Sequence, residues 1–181
     1  MSNILFITPY FKPANNGGGG QISVENLVEA LKKNNNISVL SYNRDFNSKV
    51  ELSNSYYTNT SCIKRYFFSI KNLFLIIRDL NNIKFDFIYF NSFFSPICIF
   101  FQFYFYFKKT TKILSTKGEF YDGALNEKKI KKNIWIYIYK MLFIPKLIHI
   151  TSLHEKLSIK KHFPFSKIKF ARDIPNSVPD L

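Results

Sequence analysis

Four consecutive glycines, Gly17 to Gly20, separate the short apolar run Ile4-Leu5-Phe6-Ile7-Thr8 from a segment with helical spacing, in which Ile22, Val24, Leu27, Val28 and Leu31 recur at mostly three- and four-residue steps. Glycine lets a backbone come close to a ligand, and the start of a helix offers free N–H groups to an anion. A strand, a glycine loop and a helix form the opening of a doubly wound sheet. The chemistry they suit is phosphate binding, with Gly18, Gly19 and Gly20 beside the anion. The same run also reads as a flexible turn, because it contains no GxGxxG and no P-loop Lys-Ser/Thr.

Ligands of an open parallel sheet bind beyond the carboxyl ends of its strands. That rule singles out Gly17 to Gly20, Arg44-Asp45, Asn91 and Ser92 with the three residues after Asn91-Ser92, residues 117–122, and Thr151-Ser152. Lys117 and Arg44 suit phosphate oxygens, and Glu119 and Asp122 suit sugar hydroxyls. Each is alternatively a solvated loop residue. Gly118 permits a tight turn that would bring Lys117 and Glu119 inward. His149 ends a strand beside the presumed cleft and reads either as a site residue or as a structural histidine. No HExxH, no paired cysteines and no Gly-x-Ser-x-Gly elbow occur, so a metal is not expected.

The elements that must position these residues alternate strand and helix. Strands are expected over 4–8, 37–41, 85–90, 111–115, 146–150 and 167–170, with helices over 21–31, 66–80, 96–107, 126–144 and 152–163. The 66–80 helix rests on Phe67, Ile70, Phe74 and Ile77. Residues 46–65 read as a polar loop with a short strand near Tyr56. Pro96 suits a first helical turn, and Ser152-Leu153-His154-Glu155 is a capping box. Parallel pairing needs helical crossovers, so the expected fold class is α/β, a Rossmann-like three-layer sandwich with a mostly parallel sheet.

The 181 residues fit one domain or half of a larger enzyme, and 46% hydrophobic content suffices for a core. The charge is +14, with 16 basic and 6 acidic residues from Lys108 onward. That asymmetry suits an anionic partner: nucleic acid, acidic lipid or a phosphorylated ligand. Cys62 and Cys98 have no metal spacing and fit a reducing compartment. The longest apolar stretch, 93–107, falls short of the ~20 residues that span a bilayer, and no secretory signal is read at the start. Lys128, Lys129, Lys131 and Lys132 precede Trp135, Tyr137, Tyr139, Met141 and Phe143, a pattern suited to peripheral contact with an anionic membrane. No RNA-binding signature of the RRM kind is present.

Several spaced runs together resemble the N-terminal domain of family-four glycosyltransferases, enzymes built of two Rossmann-like halves. These are Gly19-Gly20 with Asn26-Leu27-Val28-Glu29-Ala30-Leu31; Asn43-Arg44-Asp45-Phe46; Phe93-Phe94-Ser95; Lys117-Gly118-Glu119-Phe120-Tyr121-Asp122-Gly123-Ala124-Leu125, with lysine where arginine is usual; and His149-Ile150-Thr151-Ser152-Leu153-His154-Glu155. The resemblance implies transfer of a sugar from a nucleotide-sugar to a polysaccharide or lipid-linked glycan, as in lipopolysaccharide synthesis. It implies retention, no essential metal, and a cytoplasmic place at the inner face of the plasma membrane. Gly18 to Gly20 would approach the donor diphosphate. Lys117 and Glu119 would line the cleft, with Arg44 and His149 beside it, and Asn91 and Ser92 would face the acceptor. Residues 1–173 would be the Rossmann-like domain and 174–181, containing Ile174-Pro175-Asn176-Ser177, the start of an interdomain linker. The donor half with its Glu-x7-Glu motif would lie beyond it, so the chain alone is expected to transfer poorly. Two other readings remain: a Rossmann-type nucleotide or NAD binder, which needs an acid such as Asp45 for the ribose, and a basic nucleic-acid-binding module, which needs an exposed stripe of lysines and stacking aromatics.

Overall fold

A computed structural model describes residues 1–60, 63–142, 147–163 and 169–171. The described strands are β1 (Asn3–Ile7), β2 (Asn36–Tyr42), β3 (Tyr57–Thr60), β4 (Ile63–Phe68), β5 (Phe87–Asn91), β6 (Thr111–Ser115), β7 (Leu147–His149) and β8 (Lys169–Ala171). The helices are α1 (Gly18–Leu31), α2 (Leu73–Asn81) after a 3-10 turn, α3 (Pro96–Tyr104), α4 (Asp122–Asn126), α5 (Lys129–Leu142) and α6 (Leu153–His162).

The strands form one sheet in the order β3-β4-β2-β1-β5-β6-β7-β8. Every neighbouring pair is parallel except β3 with β4. The class is α/β, a Rossmann-like three-layer sandwich. Strand β1 is apolar from Ile4 to Ile7 because both of its faces are covered there. The pleat sends Ile4 and Phe6 to one side, where they pack with Val24 and Val28 of α1, with Ile37 and Val39 of β2, and with Tyr89. Leu5 and Ile7 point the other way, into a larger core with Ile88, Phe90, Leu114 and Ile148, closed by Ile76 and Leu80 of α2, Phe101 of α3 and Ile136 of α5.

The structure corrects the expected helix over 66–80. Its first residues belong to β4, which lies inside the sheet with Leu40 opposite Tyr66 and, across the antiparallel edge, Tyr57 opposite Tyr66. The polar-looking Ile63-Lys64-Arg65 becomes strand because Arg65 is buried usefully. Its Nη2 donates to Phe11 O (2.8 Å) and Ser41 Oγ (3.3 Å), and its guanidinium lies 4.3 Å over the Phe67 ring. Burial lowers its pKa to about 10, against the opposing pull of Glu25. The helix proper starts at Leu73 and buries Ile76 and Leu80, while Ile70 and Phe74 of the expected stripe stand exposed. A second correction concerns 126–144. A short α4 ends at Asn126, and the chain turns through Lys128 at φ 53 before α5 begins. The first helix also begins three residues earlier than expected, so Gly18 to Gly20 lie in its first turn. Ser152 caps α6 by accepting from Glu155 N. Residues 174–181, Cys62 and Phe143 lie outside the described residues.

The facing of α2 is testable by chemical denaturation. Leu80→Ala should cost about 3 kcal/mol through the cavity it leaves. Phe74→Ala should change stability by less than about 0.5 kcal/mol. A larger loss for Phe74→Ala than for Leu80→Ala would show that the expected stripe, and not Ile76 and Leu80, faces the core.

Candidate functional site

From β1 the chain winds one way to β2 and β4, and from β5 it winds the other way to β6, β7 and β8. The direction of winding therefore reverses between β1 and β5, and the loops after these two strands diverge around a crevice at their carboxyl ends. The residues there are Thr8 after β1, the glycines opening α1, Asn91 ending β5 with Ser92 after it, and Lys117 after β6.

The loop between β1 and α1 is held by side chains of its own helix and by the loop after β2. Glu25 Oε1 accepts from Lys12 N and from Gln21 Nε2, both at 2.8 Å. Gln21 Nε2 also donates to Ala14 O, and Gln21 Oε1 accepts from Gly17 N at 2.9 Å. Asp45 accepts from Asn15 N and from both the backbone and side-chain nitrogens of Asn16, each at 3.0 Å. Its carboxyl pKa is lowered, first by the Asn15 bond. Two glycines have reasons within the chain. A Cβ on Gly17 would collide with Gln21 Oε1 and come 2.7 Å from Tyr10 Cβ, and Gly18 sits at φ 68. Gly19 and Gly20 have no such reason, because a Cβ on either would meet nothing within 4 Å. No side chain caps α1, and no acidic residue stands in its first turn. Its start therefore carries the positive end of the helix dipole toward open space.

Asn91 is buried and donates from Nδ2 to Thr8 Oγ1 (3.1 Å) and Gly20 O (3.3 Å), tying β5 to the loop after β1 and to α1. Its Oδ1 finds no hydrogen-bond partner among the described residues. Lys117 reaches the same helix, with Nζ 2.7 Å from Ser23 Oγ. Burial lowers its pKa, and the negative charge of Glu155 works against that. Lys117, Ser23, Gly20, Asn91 and Thr8 thus form a continuous run along the crevice.

Lys117 is directed there by an unusual turn. It adopts φ 46 and Gly118 φ 77, so two successive residues lie in the left-handed region. For lysine that conformation costs about 1–2 kcal/mol. Glu155, fully buried, holds it. Its Oε1 accepts from Thr116 Oγ1 (2.5 Å) and Gly118 N (2.7 Å), and its Oε2 accepts from Thr151 N and Thr151 Oγ1, both at 2.8 Å. Burial alone would raise the Glu155 pKa, but these bonds outweigh it and the net shift is downward. In the sequence Glu155 stands out as the last member of a capping box and as the end of the His149–Glu155 run, neither of which marks it as a buried anion. The Thr151-Ser152 pair before it was the available signal.

The other expected site residues are placed differently from one another. Glu119 turns to the loop after β5, where Oε1 accepts from Ser92 Oγ and Oε2 from Phe93 N, both at 2.5 Å. Burial raises its pKa against those bonds. This grip holds Ser92 at φ 147, a conformation that costs about 1–3 kcal/mol. Both Glu119 oxygens are therefore engaged by the protein, and Glu119 shapes the crevice wall. Arg44 is exposed after β2, 5.5 Å over the Tyr42 ring, and its backbone bridges Glu51. His149 lies within the sheet on the α1 side, with Nδ1 2.6 Å from the buried Tyr89 hydroxyl. Among the described residues no group of His, Cys, Asp and Glu could hold a metal ion.

No protein-family model and no curated protein matches the sequence.

The Glu155 carboxylate gives a pH signature. Its folded pKa lies below the ordinary value of 4.5, so its contribution to stability is fully present above that value and is lost as pH falls through the depressed pKa. Glu155→Gln should cost about 3 kcal/mol at neutral pH, since it brings an amide against buried donors. The gap to the wild type in urea denaturation should close in strong acid. A gap independent of pH would mean the charge of Glu155 is not what binds the two loops.

Proposed function

We propose that this domain is the acceptor-side half of a glycosyltransferase that takes a sugar from a nucleotide-sugar and passes it to a polysaccharide or lipid-linked glycan. The single observation carrying this reading is the Lys117–Ser23 contact, which brings a cation onto α1 about one turn past its opening glycines, near the switch point of the sheet. The resemblance of the Lys117–Leu125 run and the Thr151-Ser152 run to family-four enzymes supports it.

Sugar transfer breaks the bond between the anomeric carbon and the donor diphosphate, so negative charge grows on the departing phosphate oxygen. Uncapped N–H groups of Gly18, Gly19 and Gly20 and the Lys117 ammonium meet that charge with donors already in place. The open space beside Gly19 and Gly20 admits a diphosphate close to the backbone. Asn91 Oδ1, buried and without a hydrogen-bond partner among the described residues, suits a hydroxyl donor from a sugar. In this reading Ser92 and Glu119 form the acceptor wall, Arg44 stands at its outer rim, and His149 supports the floor through Tyr89. The rival NAD reading is weakened because Asp45, the acid it needs for a ribose, is engaged by Asn15 and Asn16.

The test joins binding to turnover. Adding a nucleoside diphosphate to the isotope-labelled chain should shift the amides of Gly18 to Gln21. Lys117→Gln should weaken that binding by about 10- to 100-fold, the worth of a charge-assisted hydrogen bond. Supplying a donor-binding Rossmann-like half in trans should give transfer from a nucleotide-sugar that Lys117→Gln abolishes. Unshifted glycine amides together with no transfer would overturn the proposal.

A further inference from the structure

Helix α5 is apolar on two opposite sides. Trp135, Ile136 and Tyr139 are buried against the sheet. On the other side Ile130 (78% exposed), Ile134 (55%), Tyr137 (65%) and Met141 (70%) recur at four-, three- and four-residue steps and form a second stripe. Only one stripe is needed to hold a helix on a sheet. Exposed aromatics also stand on α3 and the turn after it, where Phe103 is 41% and Phe107 90% exposed. Phe103 sits 5.6 Å from the Trp135 ring, so the two helices adjoin there.

Cations border this surface. Lys128, Lys129 and Lys131 are exposed at the start of α5, Lys140 is exposed near its end, and Lys109 is exposed beyond α3. Lys132 is not part of the border: its Nζ donates to Ala124 O at 2.6 Å and lies 5.1 Å over the Phe94 ring. The structure thus narrows the membrane-contacting set expected from sequence, since Lys132, Trp135 and Tyr139 are engaged inside the domain.

We propose that the outer face of α5 and α3 docks on an anionic lipid surface, with α5 lying in the headgroup region. Charge complementarity selects this occupant. A second copy would bring the same lysines against these, in a chain of net charge +14. An acidic bilayer offers both phosphate charge for the lysines and an acyl boundary for the apolar stripe. No described helix is long and apolar enough to cross a membrane, so the contact lies along the surface. Trp135 Nε1 donates to Phe93 O at 3.1 Å, which ties the docking helix to the loop after β5 at the crevice. The inference stands on exposure and charge and is independent of sugar transfer.

Co-sedimentation of the full chain with phosphatidylcholine vesicles, with and without phosphatidylglycerol, tests it at low and high salt. Binding should require the acidic lipid and weaken with salt. Each of Lys128→Gln, Lys129→Gln and Lys131→Gln should lower partitioning about fivefold, and the three together about a hundredfold. Ile134→Ser with Met141→Ser should also release the protein, whereas Lys12→Gln with Lys33→Gln, on the α1 side, should have little effect. All these side chains are exposed, so the variants keep the fold. Equal partitioning to both lipids, or to neither, overturns the proposal. So does a lipid-free dimer by gel filtration that Ile134→Ser with Met141→Ser dissolves, because the face would then belong to a second copy.

Discussion

The arrangement at the carboxyl edge of the sheet depends on one buried anion. Removing a carboxylate from water costs several kcal/mol, and Glu155 offsets this only by collecting four donors from the loops after two adjacent strands. Thr116 and Gly118 follow β6, and Thr151 follows β7. Because Glu155 sits in the first turn of α6, the same bonds join helix, strand ends and loops. The left-handed turn at Lys117 and Gly118 persists under that grip, and the turn directs Lys117 across the crevice to α1.

The other loops at this edge are organised by the same physical means. Glu119 holds the backbone after β5, Glu25 holds Lys12 N, and Asp45 holds Asn15 and Asn16. The chain has only 12 acidic residues against 26 basic ones, and it spends four of the 12 on backbone N–H groups around one crevice. Acidic side chains are thus drawn into the scaffold, while Lys117 and the start of α1 present positive charge to the open side. The exposed lysines of α5 belong to a separate surface on the opposite layer, joined to the crevice through Trp135 and Phe93.

Much of the architecture was legible in the residues. Strand β1 is a run of strand formers too short for a helix, and β5 and β6 have the same character. Pro96 and Ser152 marked helix starts because each supplies a local need of a first turn: a missing N–H that is not required, and a hydroxyl that accepts one that is. The misreading of 66–80 has a definite cause. Helical spacing of Phe67, Ile70, Phe74 and Ile77 is a local pattern, whereas β4 exists because Tyr66 and Arg65 find partners on β2 and in the loop after β1, far away in sequence. Two apolar stripes on α2 competed, and only packing chose Ile76 and Leu80.

At the site, the glycine loop and the alternation of strand and helix pointed to the carboxyl ends of the strands, since both are consequences of backbone sterics and crossover connections; the reversal between β1 and β5 is visible only in the sheet order. Lys117 could be named from its glycine neighbour. What no local pattern contains is the direction of a side chain after a turn. Glu119 and Lys117 stand two residues apart, yet one turns back to Ser92 and Phe93 and the other forward to Ser23. His149 ends a strand as expected, but its hydrogen bond to Tyr89 draws it into the sheet. The α/β class, the succession of strand, glycines and helix, and the basic balance could be read from the residues alone, because these follow from residue type and near-neighbour spacing. Which charges are buried followed from packing of the whole chain, because pairing a carboxylate with distant N–H groups depends on where separate strands end.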